Sequence, residues 1–292
     1  MSDLERFDEL HVVSDLHLGG VPPRGGHGDR RIFDADTAGA ALAGWIDRLA
    51  ATDPTRRVGF VINGDFVDFI AAEDARYLDV SGAAVDKLED AIRDNAAVFA
   101  ALKHFTARAQ GLLVVLLGNH DVEMMLPAAR ERFLREVCDD AAARARVRFG
   151  YDGSGFACVV GDRRVHVTHG NESDSWNTID ARKVQSLVRE LEAGRDPRRW
   201  VEQNWEPNPG TRLVVELLNG VKSRKPWVDL LKPEKPPLLL KLLLVVARDE
   251  LTTEQMKIAA LNYARAERVR FGNDLLGDAP APDAPIDEAV AV

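Results

Sequence analysis

Four short apolar runs in the first 170 residues of the chain each end abruptly in polar residues. The runs cover residues 10–14, 58–62, 112–117 and 165–168. Apolar runs of this length, rich in valine, leucine and isoleucine, are typical of strands that are buried on both faces of a sheet. The pattern therefore predicts four such strands, each followed directly by a polar loop.

Two segments with helical spacing of apolar residues separate the first three runs. They cover residues 37–50 and 83–109. The alternation of strands and helices predicts right-handed crossovers and a mainly parallel sheet. Because ligands of such sheets bind beyond the carboxyl ends of the strands, we expect the polar loops to meet at one edge. Further along, residues 156–160 and 163–168 flank Gly161-Asp162, which predicts a β-hairpin.

The pattern changes after the fourth run and divides the chain into three predicted parts. Residues 1–175 are predicted to form a core domain and residues 176–276 a mainly helical extension. Residues 277–292, rich in alanine, proline and aspartate, are predicted to be a disordered tail. Within the extension, residues 181–192 and 253–270 have helical spacing, and prolines interrupt the stretch between them.

Composition narrows the class of protein. The chain has 292 residues and a formal net charge of −9, whereas general nucleic-acid binders carry an excess of lysine and arginine. The charge argues against a protein that coats duplexes, but not against a nuclease, since bound metal changes the local charge. The two cysteines, Cys138 and Cys158, are predicted to be small packed hydrophobes, which fits a reducing cytoplasm.

The predicted location is the cytoplasm. The first ten residues are charged rather than apolar, so no signal peptide is predicted. The longest apolar stretch, residues 238–247, contains Lys241 and is too short to span a bilayer, so no transmembrane segment is predicted. This stretch and the basic residues at 222–225 could bring the protein to the surface of the inner membrane.

The first two polar loops carry residues that bind cations. Asp15 and His17 are two apart after the first run, and a carboxylate beside an imidazole suits Mn, Fe or Zn. Asp65 follows the second run directly after Gly64. On its own, Asp65 is as well suited to capping a helix as to binding metal.

The last two polar loops add an amide and two imidazoles. Asn119 offers a neutral carbonyl oxygen and His169 a ring nitrogen. His120 could protonate a leaving oxygen, provided that a carboxylate holds its tautomer. His104 and His166 are predicted to have structural roles, because one lies in a helical segment and the other is at an odd offset from His169 on its strand.

Taken together, the motifs Asp-x-His, Gly-Asp-x-x-Asp, Gly-Asn-His-Asp and His-Gly occur in this order, each at the end of an apolar run. Over roughly residues 9–171 this set resembles the calcineurin-like metallophosphoesterase family, in particular bacterial members of the Gly-Asn-His-Asp type. The resemblance implies an α/β fold, a four-layer α-β-β-α sandwich of two mixed sheets flanked by helices, here with a C-terminal helical extension. It also implies metal-dependent hydrolysis of phosphate mono- or diesters, in which metal-activated water cleaves a phosphodiester or a pyrophosphate.

The resemblance further implies a cofactor and a role for each motif residue. The cofactor would be two divalent metal ions, with Mn²⁺ expected ahead of Fe, Zn or Mg. The metal ligands would be Asp15, His17, Asp65, Asn119 and His169. Asp15 and His17 would bind the first ion, Asn119 and His169 the second, and Asp65 would bridge the two. His120 would be the catalytic proton donor, and Asp68 would orient His120. Residues that bind the rest of the substrate are not assigned.

The chain departs from the family pattern at the end of the site. Family members carry a final Gly-x-x-His or Gly-His-x-His block, whereas no histidine follows His169 here. A continuation of the chain, a partner or a homo-oligomer could complete the site, the carboxylates of Glu172 and Asp174 could substitute, or the site could bind metal weakly. His27, in the loop after the first motif, is predicted to be a loop histidine.

Two functions follow from the sequence. The leading one is a metal-dependent phosphoesterase whose substrate is a nucleotide, a nucleic acid or a lipid pyrophosphate. A Ser/Thr protein phosphatase is disfavoured, because Phe69 and Ile70 follow Asp68 where those enzymes carry Arg-Gly. The alternative is a catalytically impaired binding or regulatory protein of the same fold, or a subunit whose site is completed by a partner.

Overall fold

The computed structural model of the chain describes residues 4–20, 31, 33–71, 76–80 and 82–219. The strands are β1 (Glu5–Phe7), β2 (Glu9–Val13), β3 (Val58–Asn63), β4 (Gly111–Leu116), β5 (Val147–Gly150), β6 (Phe156–Val160) and β7 (Arg163–Val167). The α-helices are α1 (Ala40–Ala50), α2 (Gly82–Asp94), α3 (Ala96–Ala107), α4 (Pro127–Val137), α5 (Ala141–Arg144), α6 (Ala181–Glu192), α7 (Pro197–Asn204) and α8 (Pro209–Leu213). Outside the described residues lie His27, the basic residues 222–225, the apolar stretch 238–247, the helical pattern 253–270 and the predicted tail 277–292.

The strands form two sheets. One has the order β2-β3-β4-β5 and is parallel throughout its described strands. The other has the order β1-β6-β7, in which β1 and β6 are parallel and the predicted β6–β7 hairpin is antiparallel. The predicted fold, two sheets flanked by helices, is confirmed, with the mixed pairing confined to the smaller of these two sheets.

Alternate residues of the central strands face two separate cores. Phe60 and Leu113 point toward the helices, where Phe66, Phe99 and Phe133 meet ring to ring. Residues of the opposite parity face the smaller sheet, and this second core comprises Phe7, Val61, Leu112, Val114, Leu116, Cys158 and Val167. The four-stranded sheet is therefore covered on both faces, which is why β3 and β4 are buried at every position.

The prediction that all four apolar strands are buried on both faces is wrong for the first and the last. β2 lies at the edge of the larger sheet, where Val12 is 43% exposed. β7 lies at the edge of the smaller sheet, and only Val167 of its five residues is buried. An edge strand has a neighbour on one side only, so a run of apolar letters does not by itself reveal its exposure.

The helices follow the predicted segments with one break. The segment 83–109 forms two helices rather than one, because Asn95 leaves the helical conformation between α2 and α3. The segment 37–50 forms a short π-helical turn, Ala35–Gly39, that continues into α1. The helix predicted over residues 181–192 is confirmed as α6, and Pro197 and Pro209 each occupy the first turn of a new helix.

Two smaller predictions can also be compared with the structure. Cys138 and Cys158 are buried free thiols, as expected for packed hydrophobes. In the part of the chain that the structure describes, no helix is both long enough and apolar enough to cross a bilayer.

Candidate metal centre

The loops that follow β2, β3, β4 and β7 meet at one edge of the sheets. The strand register places Val13 beside Ile62 and Asn63 beside Leu116, so β2, β3 and β4 end at nearly the same level. The smaller sheet reaches this edge through the loop after β7, where Nδ2 of Asn63 donates to the carbonyl oxygen of Thr168 (3.0 Å). The predicted ligands, which come from four separate segments of the sequence, therefore lie close together.

Asp65 lies at the centre of this cluster and is 3% exposed. Ligand atoms of His17, Asp65 and His120 lie within 4.8 Å of one another, and so do those of Asp15, Asp65 and His169. The Nε2 atoms of His17 and His169 each lie 3.6 Å from Oδ2 of Asp65, which is too far for a hydrogen bond. One buried carboxylate thus faces two groups of donors, which is the arrangement that a bridging ligand requires.

The grouping differs from the one that the family resemblance implies. Asp15 shares its group with His169 rather than with His17. His120, predicted to be a proton donor, lies within ligand distance of His17 and Asp65. Its ring and that of His17 meet in a T-shaped arrangement, with a centroid distance of 4.6 Å and an interplanar angle of 89°.

Contacts at Nδ1 orient the imidazoles. Nδ1 of His169 lies 2.7 Å from the carbonyl oxygen of Asn63, and Nδ1 of His120 lies 3.2 Å from Oδ1 of Asp68. Each contact is a hydrogen bond only if Nδ1 carries the proton, which leaves the lone pair of the neutral ring on Nε2. Nδ1 of His17 is buried and has no hydrogen-bond partner among the described residues, its nearest carboxylate oxygen being Oδ2 of Asp68 at 3.5 Å.

Buried carboxylates and imidazoles shift one another's pKa values. Burial opposes the ionisation of Asp65 and Asp68, but the attraction of His120 and His17 outweighs it and holds the pKa of both carboxyls below the usual range. Burial likewise opposes protonation of His169, yet the neighbouring Asp65 carboxylate raises its pKa to about 9. In the absence of a cation, a protonated His169 therefore offsets part of the negative charge around Asp65.

Three of the predicted ligands have left-handed backbone conformations. The φ angles are 55° at Asp15, 48° at His17 and 50° at Asp65, a region that non-glycine residues rarely occupy. Each such residue costs about 1–3 kcal/mol. Backbone hydrogen bonds hold the strained loops together: His17 donates to Asp65 (2.8 Å) and Asp15 donates to Gly64 (3.2 Å). Strain concentrated at candidate ligands points to loops shaped by function rather than by stability.

Asp121, to which the sequence argument gave no role, ties two of these loops together. Its carboxylate is fully buried and accepts the backbone N–H groups of Phe66 and Gly118, both at 2.8 Å. Burial raises the pKa of Asp121 to about 7, the charge of Asp65 adds to this effect, and the two backbone donors oppose it. Its position three residues after Gly118, in a polar turn, is the sequence signal that could have identified it.

Two further residues of these loops are now placed. Oδ1 of Asp65 accepts the N–H of His120 (2.8 Å), and no helix begins at Asp65, so the alternative of a helix cap is wrong. Asn119 is 8% exposed and lies between Gly118 and His120, whose backbone N–H groups bind Asp121 and Asp65. Its assignment as a metal ligand stays a prediction.

Two glycines allow the loops to approach this closely. Gly64 has φ +77°, and a Cβ atom there would lie 2.6 Å from Nδ1 of His169. A Cβ atom at Gly118 would lie 2.2 Å from both the backbone nitrogen and Oδ1 of Asp65. Both distances are far below any contact that a Cβ atom makes, so the site requires glycine at these positions.

Other candidate residues lie outside the two ligand groups found among the described residues. His104 is exposed and pairs with Asp47, and His166 contacts the carbonyl oxygen of Ser154 (2.7 Å), in keeping with their predicted structural roles. The carboxylates of Glu172 and Asp174, proposed as substitute metal ligands, accept backbone N–H groups of the turn after β7. Glu172 accepts the N–H of Gly170 (3.1 Å), and Asp174 accepts that of Trp176 (2.9 Å).

Comparison with known proteins gives one match. A family model described as calcineurin-like phosphoesterase matches residues 10–239, which is more than half of the chain. Neither a curated protein nor a solved structure matches the chain. The matched range begins at β2 and includes every residue of the two ligand groups.

Proposed function

The chain belongs to the calcineurin-like phosphoesterase family, and from this premise we propose that it hydrolyses phosphate mono- or diesters with the help of bound divalent metal. One observation carries the proposal, namely that Asp65 belongs to both groups of potential ligands. A carboxylate shared by two groups is what a two-metal phosphoesterase site needs, because each ion then contributes to one reaction centre.

The residues at the site fit two divalent cations. Carboxylate oxygens come from Asp15 and Asp65 and imidazole nitrogens from His17 and His169, a mixture that suits Mn²⁺, Fe²⁺ or Zn²⁺. We propose Asn119 as a further oxygen ligand and Mn²⁺ as the metal to test first. When bound, such ions act as Lewis acids on phosphate oxygens and lower the pKa of a coordinated water.

Within this site we assign the proton transfer to His120. Oδ1 of Asp68 holds Nδ1 of the ring at 3.2 Å, so the atom that can give a proton to a leaving oxygen is Nε2. Asp68 is 4% exposed and is itself fixed, because its Oδ1 also accepts the N–H of Ala71 (3.0 Å). The ring of His120 is therefore oriented by a carboxylate that cannot easily turn away.

The role of His120 can be tested with bis(para-nitrophenyl) phosphate and Mn²⁺. We expect wild-type protein to hydrolyse this diester and His120→Ala to lower kcat by roughly 10²- to 10⁴-fold, the usual contribution of a general acid. Mn²⁺ binding should change far less than kcat, because the carboxylates and the other imidazoles remain. His104→Ala is a matched control, since His104 is exposed and paired with a surface carboxylate, and it should leave kcat unchanged.

The same assay decides between hydrolysis and the second candidate function. The second candidate is a protein of the same family that binds metal or a partner without turnover; residues 170–292 contain no histidine. If wild-type protein binds Mn²⁺ but shows no Mn²⁺-dependent turnover at any protein concentration, the binding function replaces the enzymatic one. Turnover that arises only at concentrations where oligomers form would assign the completion of the site to a second copy.

His169 gives a second prediction, for the pH dependence of metal binding. With a pKa of about 9, this ring carries a proton at neutral pH that must leave before Nε2 can bind a cation. Raising the pH removes this competitor, so Mn²⁺ affinity should increase, by roughly ten-fold per pH unit between pH 6.5 and 8.5 for the release of one proton. Calorimetric titrations in two buffers of different ionisation enthalpy measure the released proton. If His169→Gln still released a proton on binding Mn²⁺, that proton would come from another group.

The substrate class and the cellular location of the protein are proposed here from the sequence. Comparing turnover of a nucleotide, an oligonucleotide and a lipid pyrophosphate at equal Mn²⁺ would rank the three substrate classes. We propose a cytoplasmic location with peripheral contact to the inner membrane, which cell fractionation would test. We also propose that residues 176–276 are an extension to a core of residues 1–175, which limited proteolysis would test.

A further inference from the structure

The turn of residues 68–71 carries the carboxylate that orients His120, and its backbone is anchored on several sides. Asp68 donates its N–H to the carbonyl oxygen of Leu18 (2.9 Å), and Phe69 donates to that of His120 (3.2 Å). Within the turn, the N–H of Ala71 binds Oδ1 of Asp68 (3.0 Å). These bonds hold the turn against the loops that carry the other candidate ligands.

Two side chains from distant parts of the sequence bind the carbonyl oxygens of the same turn. Nζ of Lys87, on α2, donates to the carbonyl oxygen of Phe69 (2.9 Å). Nδ2 of Asn219, which directly follows the π-helical segment Val214–Leu218, donates to the carbonyl oxygen of Ile70 (2.9 Å). The Asn219 bond is buried, and Lys87 is largely so, with 16% of its side chain exposed.

The ammonium group of Lys87 is held in place by an acidic partner. Its Nζ lies 2.5 Å from Oδ2 of Asp79, whose side chain is 5% exposed. The backbone N–H of Asp79 in turn donates to Oε1 of the buried Glu123 (3.0 Å). A buried lysine that is paired on one side and bound to a carbonyl oxygen on the other has little freedom to move, so its contact with Phe69 is well defined.

From these contacts we propose that Lys87 and Asn219 are positioning residues that act through the 68–71 turn to fix Asp68 against His120. The inference rests on the proposed function, in which the orientation of His120 matters for turnover. Neither residue belongs to the ligand groups, since Lys87 binds the carbonyl oxygen of Phe69 and Asn219 that of Ile70. Lys87 on α2 and Asn219 after the segment Val214–Leu218 would thereby fix the orientation of the His120 ring.

The proposal can be tested with four variants of the full chain. Lys87→Met removes the donor, Lys87→Arg retains one, and Asn219→Ala removes the second anchor independently. Lys103→Met is the matched control, because Lys103 also pairs with an aspartate but does so at the surface, where 41% of its side chain is exposed. Each variant is examined by long-range ¹H–¹⁵N NMR of the metal-free protein, which reports the ring nitrogens of His120, and by kcat and KM for the diester at saturating Mn²⁺.

We expect Lys87→Met and Asn219→Ala to shift the His120 ring signals and to lower kcat by roughly 10- to 100-fold, the usual effect of losing an indirect partner of a metal site. KM should stay within about three-fold, and Lys87→Arg should restore most of both readouts. When the wild-type protein turns over the diester, loss of kcat without a change in the ring signals, or a change in the ring signals without loss of kcat, would overturn the proposal. If Lys87→Met fails to fold, Asn219→Ala decides alone.

The two readouts separate this inference from the proposed function. The ring signals are recorded without metal, so they respond to the position of Asp68 whether or not the protein turns over a phosphate ester. Wild-type protein without activity would contradict the proposed function, while unchanged ring signals in both Lys87→Met and Asn219→Ala would contradict the positioning role.

Discussion

Replacing Asp65 with asparagine is expected to abolish hydrolysis and to weaken Mn²⁺ binding by at least about 100-fold. Loss of a residue that only orients a metal ligand costs up to about 100-fold in metal affinity, and loss of the ligand's own charge should cost no less. Asparagine keeps the size of the side chain and an oxygen that can accept the N–H of His120. It removes the negative charge that both ligand groups share. Because each group loses its central anion at once, the effect should exceed that of any change confined to one group.

The measurement is a Mn²⁺ titration followed by electron paramagnetic resonance of the free ion, together with turnover of the diester. Asp162→Asn is the matched control, since Asp162 lies in the β6–β7 turn with 88% of its side chain exposed. It should bind Mn²⁺ and turn over substrate as the wild type does. Mn²⁺ binding by Asp65→Asn with wild-type affinity would show that the cluster around Asp65 is not the metal centre.

The convergence of the first three polar loops could be predicted because a parallel sheet sends its carboxyl ends to one edge, whereas the loop after β7 follows an antiparallel strand of the other sheet. The apolar runs at β3 and β4 identified two adjacent strands, and their registered pairing places the loops carrying Asp65 and His120 side by side. No comparable rule gives the distance between side chains. The pairing of Asp15 with His169, rather than with its sequence neighbour His17, therefore emerged only from the folded chain.

The elements that the sequence did not predict lack an apolar run of their own. β1 has three residues, two of them charged, and β5 is a four-residue edge strand that contains Arg148. α4 has no clear apolar run in the sequence, because arginine and glutamate fill its exposed face, although its buried face presents Phe133 to the core. In each case contacts with a neighbouring strand or helix stabilise the element, and the local sequence does not show these contacts.

The contacts that fix the ligand loops were the least predictable part of the site. Asp121 acts on backbone N–H groups, and Lys87 and Asn219 act on backbone carbonyl oxygens. Every residue except proline carries the same backbone N–H and C=O groups, so the sequence does not show which of these groups a side chain binds. The sequence therefore shows a carboxylate in a turn and a lysine on a helix, but not the backbone groups that each of them binds.

Gly118→Ala is expected to destabilise the protein by about 3 kcal/mol, the upper end of overpacking effects, and to remove Mn²⁺ binding with it. The new methyl group would lie 2.2 Å from the backbone nitrogen of Asp65 and 3.0 Å from Oδ1 of Asp121. Asp65 cannot move aside freely, because its backbone is already in the left-handed region and its carbonyl oxygen accepts the N–H of His17. The clash must therefore separate the loops after β3 and β4.

Urea unfolding measures the stability change, and Gly44→Ala provides a control of opposite sign. Gly44 lies inside α1, and the atom nearest to a Cβ placed there is Nη1 of Arg48 at 3.7 Å, an ordinary contact. Alanine in a helix interior is favoured over glycine, so this variant should be more stable by about 0.5–1 kcal/mol and bind Mn²⁺ as before. If Gly118→Ala matched Gly44→Ala in stability and metal binding, the close approach of the two loops could not be what holds Asp65 between its two groups of donors.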